Sequence, residues 1–251
     1  MPLVFITMLL LFSSAELYAQ SKVLAESGET RVALLELYTS EGCNSCPPAE
    51  AWHGSYKEDV NLWQQIVPIA FHVDYWDKLG WKDVFAKPEF SQRQRDNSKY
   101  QSNGQVYTPM FVFNGYEWRG WFDGDSLRKW KRPAGNLTIV KTTQYIVLTY
   151  KPKRTEDDAM VGNLALLGCG ASVDVTAGEN KGSTLEHDFV VLNLMQKKLK
   201  ASESIVRCLF ASPGITNQDF QRYALAAWVT STTSPTPLQC TGCWYDEDIA
   251  D

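Results

Sequence analysis

Residues 31–49 read RVALLELYTSEGCNSCPPA, and the fold prediction starts from this stretch. The near-continuous apolar run at 31–37 is typical of a strand that is buried on both faces. The pair Cys43 and Cys46 follows it with C-x-x-C spacing. From Ala49 onward, apolar residues recur at helical intervals. The stretch therefore predicts a buried strand, a cysteine-containing turn and a helix, in that order.

A second apolar run, IVPIAFHV at 66–73, predicts another buried strand. Strand, helix and strand within so short a distance indicate a βαβ unit with a parallel pair. Pro88 can open a further helix through residue 101. A third strand is expected at 110–113, and the Asn-Gly dipeptide after it indicates a tight hairpin with a returning strand at 117–121. A short last helix is expected to follow the hairpin.

Behind Pro133 the pattern changes, and helical periodicity is nearly absent. This half predicts strands separated by turn-forming segments, which is typical of a β-sandwich. The predicted strands are 138–150, 160–168, 172–176, 184–195, 204–210 and 223–230.

Composition narrows the class of protein. Hydrophobic residues make up 44% and charged residues 21% of the 251 residues, which is ordinary for a globular protein and excludes general disorder. The formal net charge is -5, from 24 basic and 29 acidic residues. We therefore expect no nucleic-acid partner that binds through bulk basic charge.

The first residues are typical of a secretory signal peptide. Residues 3–12 are apolar except for Thr7, and the sequence LYA at 17–19 can serve as a cleavage site. The apolar run is too short to cross a bilayer. We expect a periplasmic or secreted protein in an oxidising compartment, with no stable membrane insertion after cleavage.

A C-x-x-C between a buried strand and a helix is the arrangement that thiol–disulfide exchange requires. The helix N-terminus stabilises the thiolate of Cys43, which is the nucleophile, and Cys46 resolves the mixed disulfide. We expect Cys43 to be exposed enough to attack. A static disulfide and a metal site are the alternatives for the same pair.

The dipeptide formed by Thr108 and Pro109 begins the third strand, where a ladder residue would donate its N–H. With it, the order of elements resembles the thioredoxin fold. That resemblance implies a cis Pro109 beside the disulfide, a Thr108 that pairs its backbone with substrate, Cys43 as nucleophile and Cys46 as resolver.

The finer sequence is similar to exported, uncharacterised thioredoxin-like proteins of bacteria, which form a domain family of unknown function. The matching segments are 36–43, 46–49, 71–77, 80–83, 92–94 and 106–109. The implied fold class is an α/β thioredoxin-like N-terminal domain followed by a mostly-β, sandwich-like C-terminal domain. The expected divisions are a signal peptide at 1–19, a linker at 20–30, the two domains at 31–135 and 136–232, and a tail with the second C-x-x-C at 233–251.

Further candidate residues surround this centre. Glu36 lies on the first buried strand and is a candidate catalytic proton acceptor, with a structural carboxylate as the alternative. Trp76 and Trp81 belong to an acidic aromatic loop that either covers the core or forms a wall of the substrate groove. His72 and Asp74 end the second strand and are expected to form a structural pair, with a catalytic or metal-binding role as the alternative.

Two more expectations concern the remaining histidines and cysteines. His53 and His187 are predicted to lie at the surface. Cys169 with Cys208, and Cys240 with Cys243, are candidates for structural disulfides, and a flexible stretch at 230–237 would tether the last pair. A zinc site built from both C-x-x-C pairs is disfavoured by their separation, so no metal ligand is assigned.

The predicted function is an exported thiol–disulfide oxidoreductase that acts on protein or peptide thiols and disulfides. It would need a redox partner protein and no cofactor beyond its own dithiol. The alternatives are a module that binds Cu(I) between Cys43 and Cys46, with His72 as a possible third ligand, and a non-catalytic interaction protein with a structural disulfide.

Overall fold

A computed structural model describes residues 21–100, 104–127, 132–154, 159–199, 205–215 and 219–246. The predicted signal peptide at 1–19 lies outside these residues. Among the helices of the described segments, none is long and apolar enough to cross a membrane.

The described chain forms fourteen strands, which make up most of its regular structure. The strands are β1 (Lys22–Glu26), β2 (Ala33–Thr39), β3 (Ile66–His72), β4 (Met110–Phe113), β5 (Tyr116–Glu117), β6 (Asn136–Lys141), β7 (Tyr145–Lys151), β8 (Met160–Cys169), β9 (Ala171–Asp174), β10 (Thr184–His187), β11 (Val190–Leu199), β12 (Val206–Ala211), β13 (Arg222–Ser231) and β14 (Pro237–Tyr245). The α-helices are α1 (Pro47–Gly54), α2 (Pro88–Ser98) and α3 (Gly120–Asp123), and 3₁₀ turns cover Ser55–Glu58 and Asp74–Leu79.

One eight-stranded mixed sheet runs through both halves of the chain, in the order β14-β13-β8-β11-β3-β2-β4-β5. β3 pairs in parallel with β2 on one side and with β11 on the other, and the other neighbouring pairs are antiparallel. The β3–β11 pairing joins Ala70 to Val190. The amide of Ala70 also donates a 2.8 Å hydrogen bond to the carbonyl of Phe189.

The predicted fold class is therefore wrong. The structure is 45% strand and 16% helix, and its large sheets do not form an α/β thioredoxin-like domain. Strands from both sides of residue 135 belong to the same sheet. The predicted βαβ unit is present as β2, α1 and β3, with β2 and β3 parallel. However, β3 has a second neighbour, β11, from the distant half of the chain. Local periodicity carries no signal for such a pairing.

A second sheet, of order β1-β6-β7-β12, is antiparallel throughout. Alternate residues of its strands, such as Leu137 and Leu148, are buried and share one apolar cluster with Leu166 of β8 and Leu225 of β13. This packing of sheet on sheet is the sandwich-like arrangement expected of the C-terminal half. The cluster it forms is one of two large apolar cores.

The two faces of β2 contact different helices. Leu34 and Tyr38 share an apolar cluster with Phe90 of α2, whereas Leu35 and Leu37 share one with α1. This alternation follows from the two-residue period of a strand. Leu35 and Leu37 therefore face α1, the helix that begins at the cysteine turn.

Local sequence signals set several boundaries. Cys46 is the N-cap of α1, and Pro47 occupies its first turn, where the missing N–H costs no hydrogen bond. Asn114 and Gly115 have φ of 52° and 86°, the positive values that a two-residue hairpin turn between β4 and β5 requires. The hairpin agrees with the sequence prediction.

Gln239 of β14 links the C-terminal strand to the N-terminal segment. Its buried side-chain oxygen accepts the N–H of Val32 at 2.9 Å. Its amide nitrogen lies 3.2, 3.0 and 2.8 Å from the carbonyl oxygens of Gly28, Thr30 and Gly135. One side chain thus satisfies backbone groups from two separate parts of the chain, residues 28–32 and Gly135.

The predicted flexible tail is instead the edge strand β14, and the four later cysteines are free. Cys240 and Cys243 are three positions apart in an extended strand, about 10 Å, which is too far for a disulfide. Cys208 of β12 contacts the Gly162 position of β8, where a Cβ would lie 2.7 Å from its sulfur. Cys169 is seven positions further along β8, about 23 Å away.

Candidate functional site

A disulfide bond joins Cys43 and Cys46 in the turn between β2 and α1, with their Cα atoms 5.5 Å apart. The amide of Cys46 donates to the carbonyl of Cys43 at 3.2 Å, and the carbonyl of Cys46 accepts from Ala49 and Glu50. The first sulfur therefore lies before the helix, and the second lies at its N-terminus. The predicted disulfide of this C-x-x-C is confirmed.

Both cysteines are fully buried, in contrast to the expected exposure of Cys43. The two residues between them, Asn44 and Ser45, are exposed. The hydroxyl of Ser45 lies 3.4 Å from the Cys43 sulfur. In the disulfide form, the surface of the turn is thus polar side chains rather than sulfur.

The segment between β9 and β10 covers the turn from the distant half of the chain. The side-chain amide of Asn180 donates to the carbonyls of Glu41 at 2.8 Å and Cys43 at 3.1 Å. The carboxylate of Glu179 accepts the N–H of Asn44 at 3.3 Å. These contacts fix the backbone on both sides of the first cysteine.

The aromatic loop lies against the same turn. The indole N–H of Trp76 donates to the Thr108 hydroxyl at 2.8 Å. A Cβ placed on Gly42 would be 3.0 Å from the Cβ of Trp76, so the aromatic loop and the cysteine turn are in close contact there. The peptide bond between Thr108 and Pro109 is cis. The structure therefore brings Trp76 and the Thr108 side chain together beside the cysteine turn.

Trp81 is partly buried and contacts an acidic side chain near the cysteine turn. Its indole N–H donates to the carboxylate of Glu41 at 2.6 Å. Glu41 is fully buried, and its backbone N–H donates to Asp83 at 2.8 Å. The loop thus positions an acidic side chain two residues before Cys43.

Glu36 lies on the face of β2 that points away from α1. Its buried carboxylate accepts hydrogen bonds from Arg93 of α2, at 3.2 and 2.9 Å, and from the Tyr38 hydroxyl at 3.1 Å. The Arg93 guanidinium also lies over the rings of Phe71 and Trp228, at 5.0 and 5.5 Å from their centroids. This geometry describes a structural ion pair, and it favours the structural alternative for Glu36 over proton transfer to the cysteines.

Beneath the turn lies a buried group of five ionisable side chains, here called the His–carboxylate cluster: Glu41, Glu50, His72, Asp83 and His187. Nδ1 of His187 is 2.6 Å from a carboxylate oxygen of Glu50, and its Nε2 is 3.4 Å from Glu41. Nδ1 of His72 is 2.7 Å from Asp83. The two imidazole rings are 5.1 Å apart between centroids.

Helix α1 and strands β3 and β10 position three of the cluster residues, Glu50, His72 and His187. Glu50 lies in the first turn of α1, four residues after Cys46, and its other oxygen accepts the Thr39 hydroxyl at 2.5 Å. His72 ends β3, and His187 ends β10. The predicted partner of His72 was Asp74, but Asp74 instead accepts a hydrogen bond from Ser91 of α2.

Opposite charges shift the pKa of four cluster residues. Burial alone would lower the pKa of His187, but Glu50 and Glu41 raise it to about 10. Burial opposes a charged His72 as well, and its pKa is nevertheless raised by Asp83. Burial would raise the pKa of both Glu50 and Asp83, and the facing imidazoles lower it instead. The pairs His187–Glu50 and His72–Asp83 therefore favour the charged forms of their own members.

The surface positions predicted for His53 and His187 are wrong, since both are buried. His187 sits in β10, where the burial pattern alternates and Leu185 and His187 face inward. That alternation was the one signal in the sequence that could have indicated a buried histidine. Its pairing with Glu50, across 137 residues, had no local signal at all.

A cavity of about 810 Å³ lies at the other end of β2. It is lined by neither cysteine nor histidine, and its walls include Arg31, Tyr56 and Lys153. A smaller groove of about 380 Å³ lies between α1 and β10, and Glu50 is part of its lining. Of the two, only this groove reaches the His–carboxylate cluster.

Comparisons with known proteins agree with the fold described here. A family profile described as a protein of unknown function, DUF1223, matches residues 34–229. No curated protein sequence matches significantly.

Two solved structures share the fold. The crystal structure of protein AGR_C_4864 from Agrobacterium tumefaciens is 17% identical, with a TM-score of 0.59 over 88% of this chain and 98% of that one. HBP35 of Porphyromonas gingivalis is 14% identical, with a TM-score of 0.58 over 88% of this chain and 77% of that one. At these identities the likeness concerns the fold alone.

Proposed function

The chain belongs to the DUF1223 family of proteins of unknown function, and we propose that it is an exported thiol–disulfide oxidoreductase that acts through Cys43 and Cys46. The observation that carries the proposal is their disulfide bond, closed between the end of β2 and the N-cap of α1. The resemblance to thioredoxins supports the proposal only through the chemistry of this cysteine turn, because the overall fold is not thioredoxin-like.

The proposed reaction is a reversible exchange of two electrons. In the reducing direction, the Cys43 thiolate attacks a disulfide of a protein or peptide and releases one substrate thiolate. The Cys46 thiolate then attacks the mixed disulfide at Cys43 and releases the second substrate thiolate. The Cys43–Cys46 disulfide is the product, and an external dithiol of a partner protein would reduce it again.

The position of Cys46 supports its role as the resolving residue. It is the N-cap of α1, where the helix dipole favours a thiolate, although the two prolines that follow have no N–H to donate to its sulfur. Cys43 lies one turn before the helix, next to the hydroxyl of Ser45. Because both sulfurs are buried, exchange requires the covering contacts of Asn180 or Trp76 to open.

A glutathione redox titration of the chain without residues 1–19 tests the proposal, with alkylation and mass spectrometry to follow each cysteine. The expected result is reversible titration of Cys43 and Cys46 within about −120 to −270 mV, the range of known oxidoreductases. A pair that stays oxidised below about −300 mV would be a structural disulfide and would refute the proposal. Identifying the N-terminal residue of the exported protein by mass spectrometry tests the proposed cleavage of the signal peptide after residue 19.

Three serine variants separate the roles of the cysteines. Cys46→Ser is expected to accumulate mixed disulfides with a peptide substrate through Cys43, whereas Cys43→Ser is expected to trap none. Cys243→Ser is the matched control, because Cys243 is a partly buried free thiol of the second C-x-x-C. Equal loss of Cu(I) binding in Cys43→Ser and Cys46→Ser, without trapping, would favour the copper-binding alternative instead.

A further inference from the structure

We infer that the His–carboxylate cluster is a binding site for a divalent transition-metal ion of the Zn²⁺ class, held by Glu50, His72 and His187. The inference concerns side chains other than the cysteines, so it stands or falls independently of the proposed redox function. It rests on the convergence of three ligand atoms, on the unpartnered buried ring nitrogen of His72, and on a groove that reaches the cluster.

The ligand atoms already lie close together. One carboxylate oxygen of Glu50 and one ring nitrogen each of His72 and His187 lie within 4.8 Å of one another. An ion at the centre of a triangle with that side would be about 2.8 Å from each atom, so shifts of about 0.7 Å would bring all three to the 2.0–2.2 Å of zinc bonds. Side-chain rotations supply such shifts without a change in the backbone.

One ring nitrogen in the cluster has no hydrogen-bond partner. Nε2 of His72 is buried and makes no hydrogen bond to any described residue, whereas Nε2 of His187 faces Oε1 of Glu41 at 3.4 Å. Buried polar atoms in native proteins normally have a partner. The unpartnered nitrogen of His72 therefore points to a ligand that satisfies it.

The remaining atoms of the histidines are arranged as in known metal sites. Metal-bound histidines usually donate their second ring N–H to a carboxylate, which fixes the tautomer and the ring orientation. Asp83 occupies that position for His72, at 2.7 Å from Nδ1. With Glu50 ligating beside His187, Glu41 is the carboxylate that faces the other nitrogen of this ring, at 3.4 Å from Nε2.

The donor set indicates which ions fit. Two imidazoles and one carboxylate suit zinc and its neighbours, and the ion would displace the protons that both rings carry in the metal-free cluster. Calcium and magnesium prefer oxygen ligands alone. Three protein ligands leave one position of a tetrahedral ion for another ligand. The groove between α1 and β10 offers a path for the ion, since Glu50 is part of its lining.

Zn²⁺ binding to the chain without residues 1–19 tests the inference, with the Cys43–Cys46 disulfide kept closed so that these two sulfurs cannot ligate. Because the cluster is buried, the protein is refolded from denaturant with and without Zn²⁺, and affinity is measured by competition with a chromophoric chelator. We expect one ion per chain. Failure to bind, or binding with sulfur ligands in the X-ray absorption spectrum, would overturn the inference.

Variants locate the site. His187→Gln and His72→Gln should each weaken binding by more than about 100-fold, and Asp83→Asn should weaken it by about 10–100-fold. His53→Gln is the matched control, because His53 is also buried but lies outside the cluster. Affinity that is the same in all four variants would refute the assignment. If a cluster variant fails to fold, the X-ray absorption spectrum of the wild-type protein still decides, since two imidazole ligands are required.

Discussion

Replacing Arg93 by methionine should destabilise the protein strongly, because it leaves the carboxylate of Glu36 buried without its partner. Arg93 donates two hydrogen bonds to this carboxylate, which is almost inaccessible to solvent. Removing one partner of a buried ion pair costs about 3–5 kcal/mol. For a protein of this size, each kcal/mol lowers the melting temperature by about 2–4 °C, so a decrease of about 6–20 °C is expected.

The assay is unfolding in urea, followed by tryptophan fluorescence and circular dichroism. Arg95→Met is the matched control, since Arg95 is two residues away on α2 and exposed, and its loss should cost less than about 0.5 kcal/mol. In the double variant of Arg93→Met with Glu36→Gln, the neutral amide removes the unpaired charge, and about half of the lost stability should return.

The same series tests the role of Glu36. If this residue serves only the ion pair, Glu36→Gln should change stability without changing the rate of thiol exchange per folded molecule. The reasoning would be refuted if Glu36→Gln left the unfolding free energy unchanged but slowed exchange tenfold or more. That result would restore the proton acceptor that the sequence suggested.

Two further predictions concern buried polar groups near α1 and the cysteine turn. Burial lowers the pKa of His53 to about 4, so unfolded chains take up its proton near pH 6.5 and folded chains do not. Acid therefore favours unfolding, and wild-type protein should lose about 3 kcal/mol more than His53→Gln between pH 7 and pH 4, measured in urea at each pH. Equal losses in the two proteins would contradict this. Asn180→Ala removes two hydrogen bonds to the cysteine turn, worth about 2 kcal/mol, and should speed reduction of the disulfide by dithiothreitol by up to about 30-fold. An unchanged rate would mean that another contact, such as Trp76, limits access to Cys43.

Features that depend on neighbouring residues were predictable from the sequence. The apolar run of β2, the helix after the cysteine turn and the Asn-Gly hairpin each have a local physical cause, and the structure contains all three. The disulfide of Cys43 and Cys46 belongs to the same class, because a C-x-x-C spans one turn.

Features that depend on distant residues were not predictable. The pairing of Ala70 with Val190 turned two expected domains into one continuous sheet. The burial of His187 depends on Glu50, which is 137 residues away. A single sequence contains no period or spacing that reports such contacts, so the fold class and most of the His–carboxylate cluster emerged only from the structure.

The hydrogen bonds of Gln239 also have a consequence for the order of events during synthesis. Val32 precedes its partner by 207 residues. At a translation rate of about 5–20 residues per second, the amide of Val32 waits about 10–40 s before Gln239 has been made. During that time β2 can already pair with β3 and β4, which are made earlier, but the segment just before it has no partner for the Val32 amide. β14, the last strand of the described chain to be made, therefore completes the hydrogen bonding of the first residues to emerge.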